Sequence, residues 1–270
     1  MTPLTNEDFF LLHTYVRQHY GIDLHKKKLL ISSRLSAPVA QLGYTSFHDY
    51  VQDIISGRRP DLINPMLARL TTNYTYFMRE EVHFRFLQQT VLPMLEQKHK
   101  TDRCISIWSA GCSSGEEPYT LSMYLLDYFR DKGSWDTRIL ATDLSKDMLF
   151  RASQPVYNEE NLSSLPPVWK KRYFVKGSDG LYRVTSELRS NVLFREFNLM
   201  DPIHFRKKFD LICCRNVMIY FDQQVKEDLV RRFYQATVPG GYLFIGHSEG
   251  LNRNSCPYEY IQPAIYQKKE

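Results

Sequence analysis

From Cys104 onward, short apolar runs alternate with segments of helical length and pattern, and this alternation constrains the fold more than any other feature. CISIWSA (104–110), RILATD (138–143), VLFREFN (192–198), FDLICCRN (209–216) and YLFIGHS (242–248) read as strands. Helical stretches fall from about Glu116 to Arg130, after Lys146, and around 222–237, the last ended by Pro239-Gly240-Gly241. Strands joined by helices of this length form right-handed βαβ crossovers, so the chain predicts an α/β fold with a parallel, doubly wound sheet. YEYIQPAIYQKK (258–269) adds one last edge strand.

The first seventy residues have a different period. Phe9, Leu12 and Val16 recur at helical spacing, as do Phe47, Tyr50-Val51 and Ile54-Ile55, then Ile63, Met66-Leu67 and Leu70. Asn6 and Ser46 are the expected N-caps. Gly21, Pro38, Gly43 and the GRRP stretch at 57–60 are the expected breaks. The reading is an all-α domain over 1–70 and a second domain over 71–270. A small antiparallel insert interrupts the second domain at about 155–188, where RYFVKGSDGLYRV (172–184) carries a hairpin signal at Gly177-Ser178-Asp179-Gly180.

Composition removes several classes. The hydrophobic set is 43% and charged residues 24%, with 18 Tyr and 16 Phe to bury, which excludes a disordered or fibrous chain. No apolar run is long enough to span a bilayer, and MTPLTNEDFF does not read as a signal peptide, so the expected location is the cytoplasm. The five cysteines have no zinc-like spacing and read as reduced thiols; no metal is expected. A net charge of +5 is too mild to imply nucleic acid.

The most informative stretch is Trp108-Ser109-Ala110-Gly111-Cys112-Ser113-Ser114-Gly115-Glu116-Glu117-Pro118. A strand enters a turn with glycines at 111 and 115, and a helix follows with proline early in it. In an open α/β sheet, ligands bind outside the carboxyl ends of strands at a switch point, and glycine lets backbone approach them. The turn lacks the GxGxxG of a dinucleotide site and has two acids where pyrophosphate would sit, so it suits a cationic ligand. Asp143 ends the next strand, where an acid can accept from ribose hydroxyls. An ammonium, a sulfonium and a ribose together describe S-adenosylmethionine. Taken singly, Glu116 and Glu117 also suit a helix dipole, Asp143 an N-cap, and Gly111 the turn alone; the conjunction in chain order carries the inference.

The chain resembles the chemotaxis-receptor methyltransferases of the CheR type over nearly its whole length. The segments that carry the likeness are TTNYTYFMRE (71–80), IWSAGCSSGEEPYTL (107–121), ILATDLS (139–145), Asn198-Leu199, CRNVMIYFD (214–222) and GHSE (246–249). The resemblance implies an N-terminal helical domain joined to a Rossmann-like S-adenosylmethionine-dependent methyltransferase domain with a small β-subdomain inserted. It implies a cofactor pocket made by Asn73, Thr75, Arg79, Gly111, Glu117, Asp143, Asn198, Leu199, Arg215 and Asn216. Within it, Arg79 would meet the cofactor's carboxylate, Glu117 rather than Glu116 its ammonium, Asp143 its ribose and Asn198 its adenine. Arg215 and Tyr220 would stand nearest the reaction, Arg215 orienting an incoming carboxylate and Tyr220 placing a hydroxyl beside the transferring methyl.

The implied reaction gives glutamate methyl esters and S-adenosylhomocysteine. A glutamate, with an ordinary pKa of about 4.3, is already ionised at pH 7 and needs no base, metal or covalent intermediate. The implied partner is the cytoplasmic helical region of methyl-accepting receptors, met by an acid-free basic helical face with Lys26, Lys27, Lys28 and Arg34. Members that tether to a receptor's C-terminal pentapeptide have a longer glycine-patterned hairpin loop. With only Gly177–Gly180 here, no strong tethering is expected, nor contact with the membrane except through the receptor. The expected state is a monomer. Methylation of nucleic acid is the weaker alternative, because Arg-Asn-Val-Met stands where amine-methylating enzymes carry an NPPY-like motif. A non-catalytic cofactor-binding module would be expected to have lost Arg215 and Tyr220, and a dehydrogenase would need the missing glycine pattern.

Overall fold

Four helices open the chain: α1 (Asn6–Tyr20), α2 (Lys28–Gln41), α3 (Phe47–Ile55) and α4 (Ile63–Leu70). The structure, a computed structural model, describes residues 2–269; Met1 and Glu270, the outer limits of the expected domains, lie outside the described residues. Ser46 caps α3 as expected, its hydroxyl accepting from the Asp49 N–H at 3.2 Å. Asn6 does not cap α1. Thr5 does, because its extended backbone lets its hydroxyl accept from the Asp8 N–H at 3.0 Å, while Asn6 begins the helix. Pro38 does not break α2 either. Ile31, Leu35 and Val39 form a fully buried stripe through it, and that burial outweighs the hydrogen bond proline forfeits.

A helical run follows the linker: α5 (Glu81–Phe86), a π-turn at Leu87–Val91 and α6 (Leu92–Lys98). The second domain then proceeds β1 (Ile107–Ala110), α7 (Glu116–Phe129), β2 (Ile139–Asp143) and α8 (Lys146–Ser153). The insert holds β3 (Val156–Tyr157), α9 (Pro167–Tyr173), β4 (Phe174–Lys176) and β5 (Tyr182–Val184), an antiparallel sheet in the order β3-β5-β4. After α10 (Ser186–Ser190) come β6 (Val192–Glu196), β7 (Phe209–Cys214), α11 (Gln223–Ala236), β8 (Thr237–Ile245), β9 (Glu259–Gln262) and β10 (Ile265–Gln267).

The main sheet has the order β6-β2-β1-β7-β8-β10-β9, parallel from β6 through β8 and antiparallel at β10 and β9. The order reverses between β1 and β7, so the switch point lies at their carboxyl ends. Two details differ from expectation. The C-terminal segment forms a hairpin, Pro263-Ala264 dividing it, rather than one strand. Pro239-Gly240-Gly241 does not end the helix, which stops at Ala236, but forms a bulge inside β8. Phe209 pairs with Thr237 and Leu211 already with Tyr242, so the extra residues bulge out where proline cannot donate to the ladder.

Both faces of the sheet are apolar at a period of two. Ile107, Leu211, Cys213 and Phe244 pack with α5 to α7, while Trp108, Ile212, Leu243 and Ile245 pack with α11 and the N-terminal helices. Leu12, Val16 and Leu35 of the first domain therefore share one continuous core with a face of the sheet. Trp108 is fully buried among Phe205, Phe209 and Phe233, and its Nε1–H donates to Thr142 Oγ1 at 2.9 Å. Among the described residues no helix is long and apolar enough to cross a membrane, and no disulfide joins the five cysteines.

Candidate functional site

A cleft opens at the carboxyl ends of β1, β2 and β7, roofed by the linker that leaves α4. The turn after β1 forms its floor. Gly111 (φ +88°) has no room for a β-carbon, which would lie 2.3 Å from Val217 Cγ2. The N–H groups of Gly111 and Cys112 both donate to the Thr142 carbonyl, at 2.8 and 2.9 Å, which fastens the turn to β2. Asp143 completes the fastening. Its Oδ2 accepts from the Ser113 N–H at 2.8 Å and its Oδ1 from the Ser145 N–H at 2.9 Å. Burial raises the Asp143 pKa, and these backbone donors offset part of that rise. The carboxylate also lines the cleft wall.

The two acids of the following helix separate cleanly. Glu116 turns inward, 8% exposed, and accepts from Ser114 Oγ at 2.8 Å; burial pushes its carboxyl up. Glu117 faces the cleft, with Oε1 accepting from Ser109 Oγ at 2.7 Å and Oε2 from Arg215 at 3.0 Å. Period 3.6 turns neighbouring helical residues apart, which is why only one of the pair reaches the ligand side.

Arg215 follows β7 directly, its side chain only 3% exposed. Its guanidinium donates to Glu117, to Glu80 Oε2 at 3.2 Å and to the Arg79 carbonyl, and lies 5.3 Å from the Phe84 ring. Asn216 adopts a left-handed backbone (φ +59°), and Glu249 holds it there. The buried Glu249 carboxylate accepts from the N–H groups of Gly246 (2.6 Å), Asn216 (2.9 Å) and Ile219 (3.1 Å). Burial raises its pKa, with these donors opposing. Glu80 is half-buried, but Arg215 and the His247 N–H outweigh that effect and hold its carboxyl below the usual range.

The linker is tied down at several points. The Ser113 hydroxyl donates to the Asn73 carbonyl at 3.0 Å, and Arg79 donates to the Tyr74 carbonyl at 2.8 Å. The Tyr220 hydroxyl donates to the Thr72 carbonyl (3.0 Å) and accepts from the Thr72 N–H (2.8 Å). Asn198 bridges the domains, its Nδ2 donating to the His19 carbonyl at 2.8 Å while its Oδ1 accepts from the Met200 N–H at 3.0 Å. Arg17 on α1 adds an ion pair with Asp222 at 2.6 Å.

Asn73, Thr75, Arg79, Gly111, Glu117, Asp143, Asn198, Leu199, Arg215, Asn216 and Tyr220 thus line one cleft. Two of them are turned to uses that their sequence context does not suggest: the Tyr220 hydroxyl clamps the linker, and the Asn198 amide holds α1. Lys26, Lys27, Lys28 and Arg34 lie outside it. Lys28 Nζ donates to Asn6 Oδ1 at 2.6 Å, and Arg34 donates to the Arg69 carbonyl at 2.9 Å. Six residues apart on α2, Lys28 and Arg34 project about 120° apart, so they do not share one stripe. Arg34 and Arg69 instead flank a shallow depression bordered by Thr71, Thr72 and Asn73, which also line the cleft. Sequence reasoning missed Glu80 and Glu249. Both end segments singled out for other residues, TTNYTYFMRE and GHSE, but an acid beside an arginine or a serine gives no local sign that it is buried.

His83 makes a pH dependence measurable. Its ring is buried and stacked between Phe244 (5.3 Å) and His247 (4.9 Å), and burial together with Arg215 pushes its pKa down to about 3. Below pH 6.5 the unfolded chain takes up a proton at this site that the folded chain refuses until pH falls much further. His83 therefore removes stability as pH falls through that window, by at most about 1.4 kcal/mol per pH unit. In urea unfolding between pH 7.5 and 5, His83→Phe should lose stability less steeply than the parent. Parallel curves would refute this.

Residues 73–266 match the family described as CheR methyltransferase, SAM binding domain, and residues 7–71 that described as CheR methyltransferase, all-alpha domain. The chain is 40% identical over 270 residues to a chemotaxis protein methyltransferase of Borreliella burgdorferi, covering 98% of this chain and 95% of the relative. It is 39% identical over 263 residues to chemotaxis protein methyltransferase 1 of Pseudomonas aeruginosa, covering 95% of each. With Pseudomonas putida Cher2, also a chemotaxis protein methyltransferase, identity is 36% over 98% of both chains.

Proposed function

This chain belongs to the CheR methyltransferase family, and from that premise we propose that it methylates glutamate carboxylates on the cytoplasmic helices of chemotaxis receptors. It is an S-adenosylmethionine-dependent methyltransferase. The observation that carries the finer reading is the convergence of Glu117, Asp143 and Arg79 on one cleft, two carboxyl groups and a guanidinium. Those groups suit the cofactor's ammonium, ribose and carboxylate respectively, and Gly111 supplies the close backbone approach. When bound, S-adenosylmethionine supplies a methyl on a positively charged sulfur.

In this reading the protein's part is positioning and exclusion of water. Arg215, fixed between Glu80 and Glu117, acts by holding Glu117 rather than by taking a proton. Tyr220 keeps the linker over the cleft by its two bonds to Thr72, at the mouth where a substrate carboxylate would enter. Arg34 and Arg69 border that mouth and suit an acidic helix; Lys26, Lys27 and Lys28 lie farther along the same domain and add general attraction.

The insert supports a reading without pentapeptide tethering. Its hairpin turn is closed by Arg183, which bonds both Asp179 oxygens (3.0 and 2.6 Å), and by the Leu181 N–H on Asp179 at 3.1 Å. The deciding experiment follows base-labile methyl incorporation from labelled cofactor into receptor cytoplasmic fragments of the source organism. Fragments lacking the pentapeptide should be labelled as fast as those that carry it. No incorporation despite cofactor binding would overturn the assignment; a strong pentapeptide dependence would overturn the tether-free reading alone.

A further inference from the structure

We propose that Glu80 is a positioning residue that sets the charge of the ammonium subsite by serving as the counterion of Arg215, so that Glu117 keeps a net negative charge. The inference rests on the reading that Glu117 receives the cofactor's ammonium. Arg215 is almost fully buried between two carboxylates, 3.0 Å from Glu117 Oε2 and 3.2 Å from Glu80 Oε2. One guanidinium and two carboxylates leave the group one negative charge. With Glu80 neutral, Arg215 and Glu117 would close as a neutral pair, and an arriving ammonium would find nothing to balance it.

Several observations single out Glu80 for this task. It does not line the cleft, so it acts behind Arg215 rather than on a ligand. It accepts from the Asn216 amide at 3.4 Å and the His247 N–H at 3.2 Å, which fix the carboxylate against the guanidinium. His83 Nδ1 and His247 Nδ1 stand at 3.4 and 3.5 Å, but His83 stays neutral at pH 7 and supplies no competing charge. The Glu80 backbone is left-handed (φ +57°), a conformation that residues with a β-carbon rarely adopt, and this aims the side chain inward at the start of α5. The Arg79 carbonyl also accepts from Arg215, so two successive residues grip the same guanidinium, one by backbone and one by charge.

The test compares two ligands by calorimetry on the full chain. S-adenosylhomocysteine carries the ammonium; 5′-methylthioadenosine shares the adenosine and the thioether but has no amino-acid end. Glu80→Gln should weaken S-adenosylhomocysteine binding by about tenfold or more while leaving 5′-methylthioadenosine within about twofold. Glu80→Asp should recover part of the loss. Glu117→Gln should discriminate between the ligands in the same sense and more strongly. If Glu117→Gln leaves both affinities unchanged, the subsite reading fails and the proposal with it. If Glu117→Gln discriminates and Glu80→Gln does not, the proposal alone is overturned. Equal weakening of both ligands by Glu80→Gln would likewise overturn it, because Glu80 would then be a structural prop.

Discussion

Asp143→Ala should abolish cofactor binding at the concentrations used in calorimetry, with affinity falling on the order of a hundredfold to ten-thousandfold. In the proposed function the Asp143 carboxylate, which lines the cleft, accepts from the two ribose hydroxyls. Hydrogen bonds to a charged acceptor contribute about 1.5 to 3 kcal/mol each, and every 1.4 kcal/mol is tenfold in affinity. A second effect adds to the first. The same carboxylate binds the N–H groups of Ser113 and Ser145, so its loss also loosens the turn that forms the cleft floor. The fold should survive, because the turn keeps its two bonds from Gly111 and Cys112 to the Thr142 carbonyl, and burial already works against the ionised carboxyl. A thermal melt of the ligand-free variant checks that. Unchanged affinity would refute the pocket assignment.

Glu249→Ala should have the largest effect on stability of any single change near the cleft, about 2 to 4 kcal/mol by equilibrium urea unfolding. Removing this carboxylate strips an acceptor from three backbone N–H groups, those of Gly246, Asn216 and Ile219. Burying an unpaired N–H costs about 1 to 3 kcal/mol, and relief from burying the charge returns part of the sum. Asn216 would lose the contact that keeps it left-handed, so Arg215 beside it should lose its aim and cofactor affinity should fall together with stability. Glu249→Gln retains one acceptor oxygen and should fall between parent and Glu249→Ala. A loss below about 0.5 kcal/mol for the alanine variant would mean that water replaces the carboxylate.

Much of the site is legible in the amino-acid sequence. Gly111 and Asp143 lie at strand ends and Glu117 in the first turn of the helix after β1; a strand end in a parallel sheet has a fixed place relative to the switch point, so chain order alone implies that they meet. The choice of Glu117 over Glu116 follows from the family resemblance, and the structure supplies its cause in helix geometry and the Ser114 bond. Other details are not legible because they depend on competition between distant partners. Asn6 and Thr5 are both good caps, and only the chain direction entering α1 selects Thr5. Pro38 reads as a breaker by propensity, yet the stripe Ile31, Leu35 and Val39 has enough apolar surface to keep α2 intact. The basic residues near Lys26 read as one face because they are close in sequence, but Arg34 is carried around the helix toward the cleft mouth.

The sequence by itself determined what is periodic or local: the βαβ alternation, the helical first domain, the hairpin of the insert and the glycine turn with its acids. These follow from backbone geometry that a few neighbouring residues set. Only the tertiary structure decided which charges meet. Glu80 and Arg215 stand 135 residues apart, and the Tyr220 hydroxyl and Thr72 backbone 148. A buried ion pair or a satisfied backbone N–H is a property of the packed sheet, because ion pairing and hydrogen bonding act over a few ångströms and sequence separation says nothing about that distance.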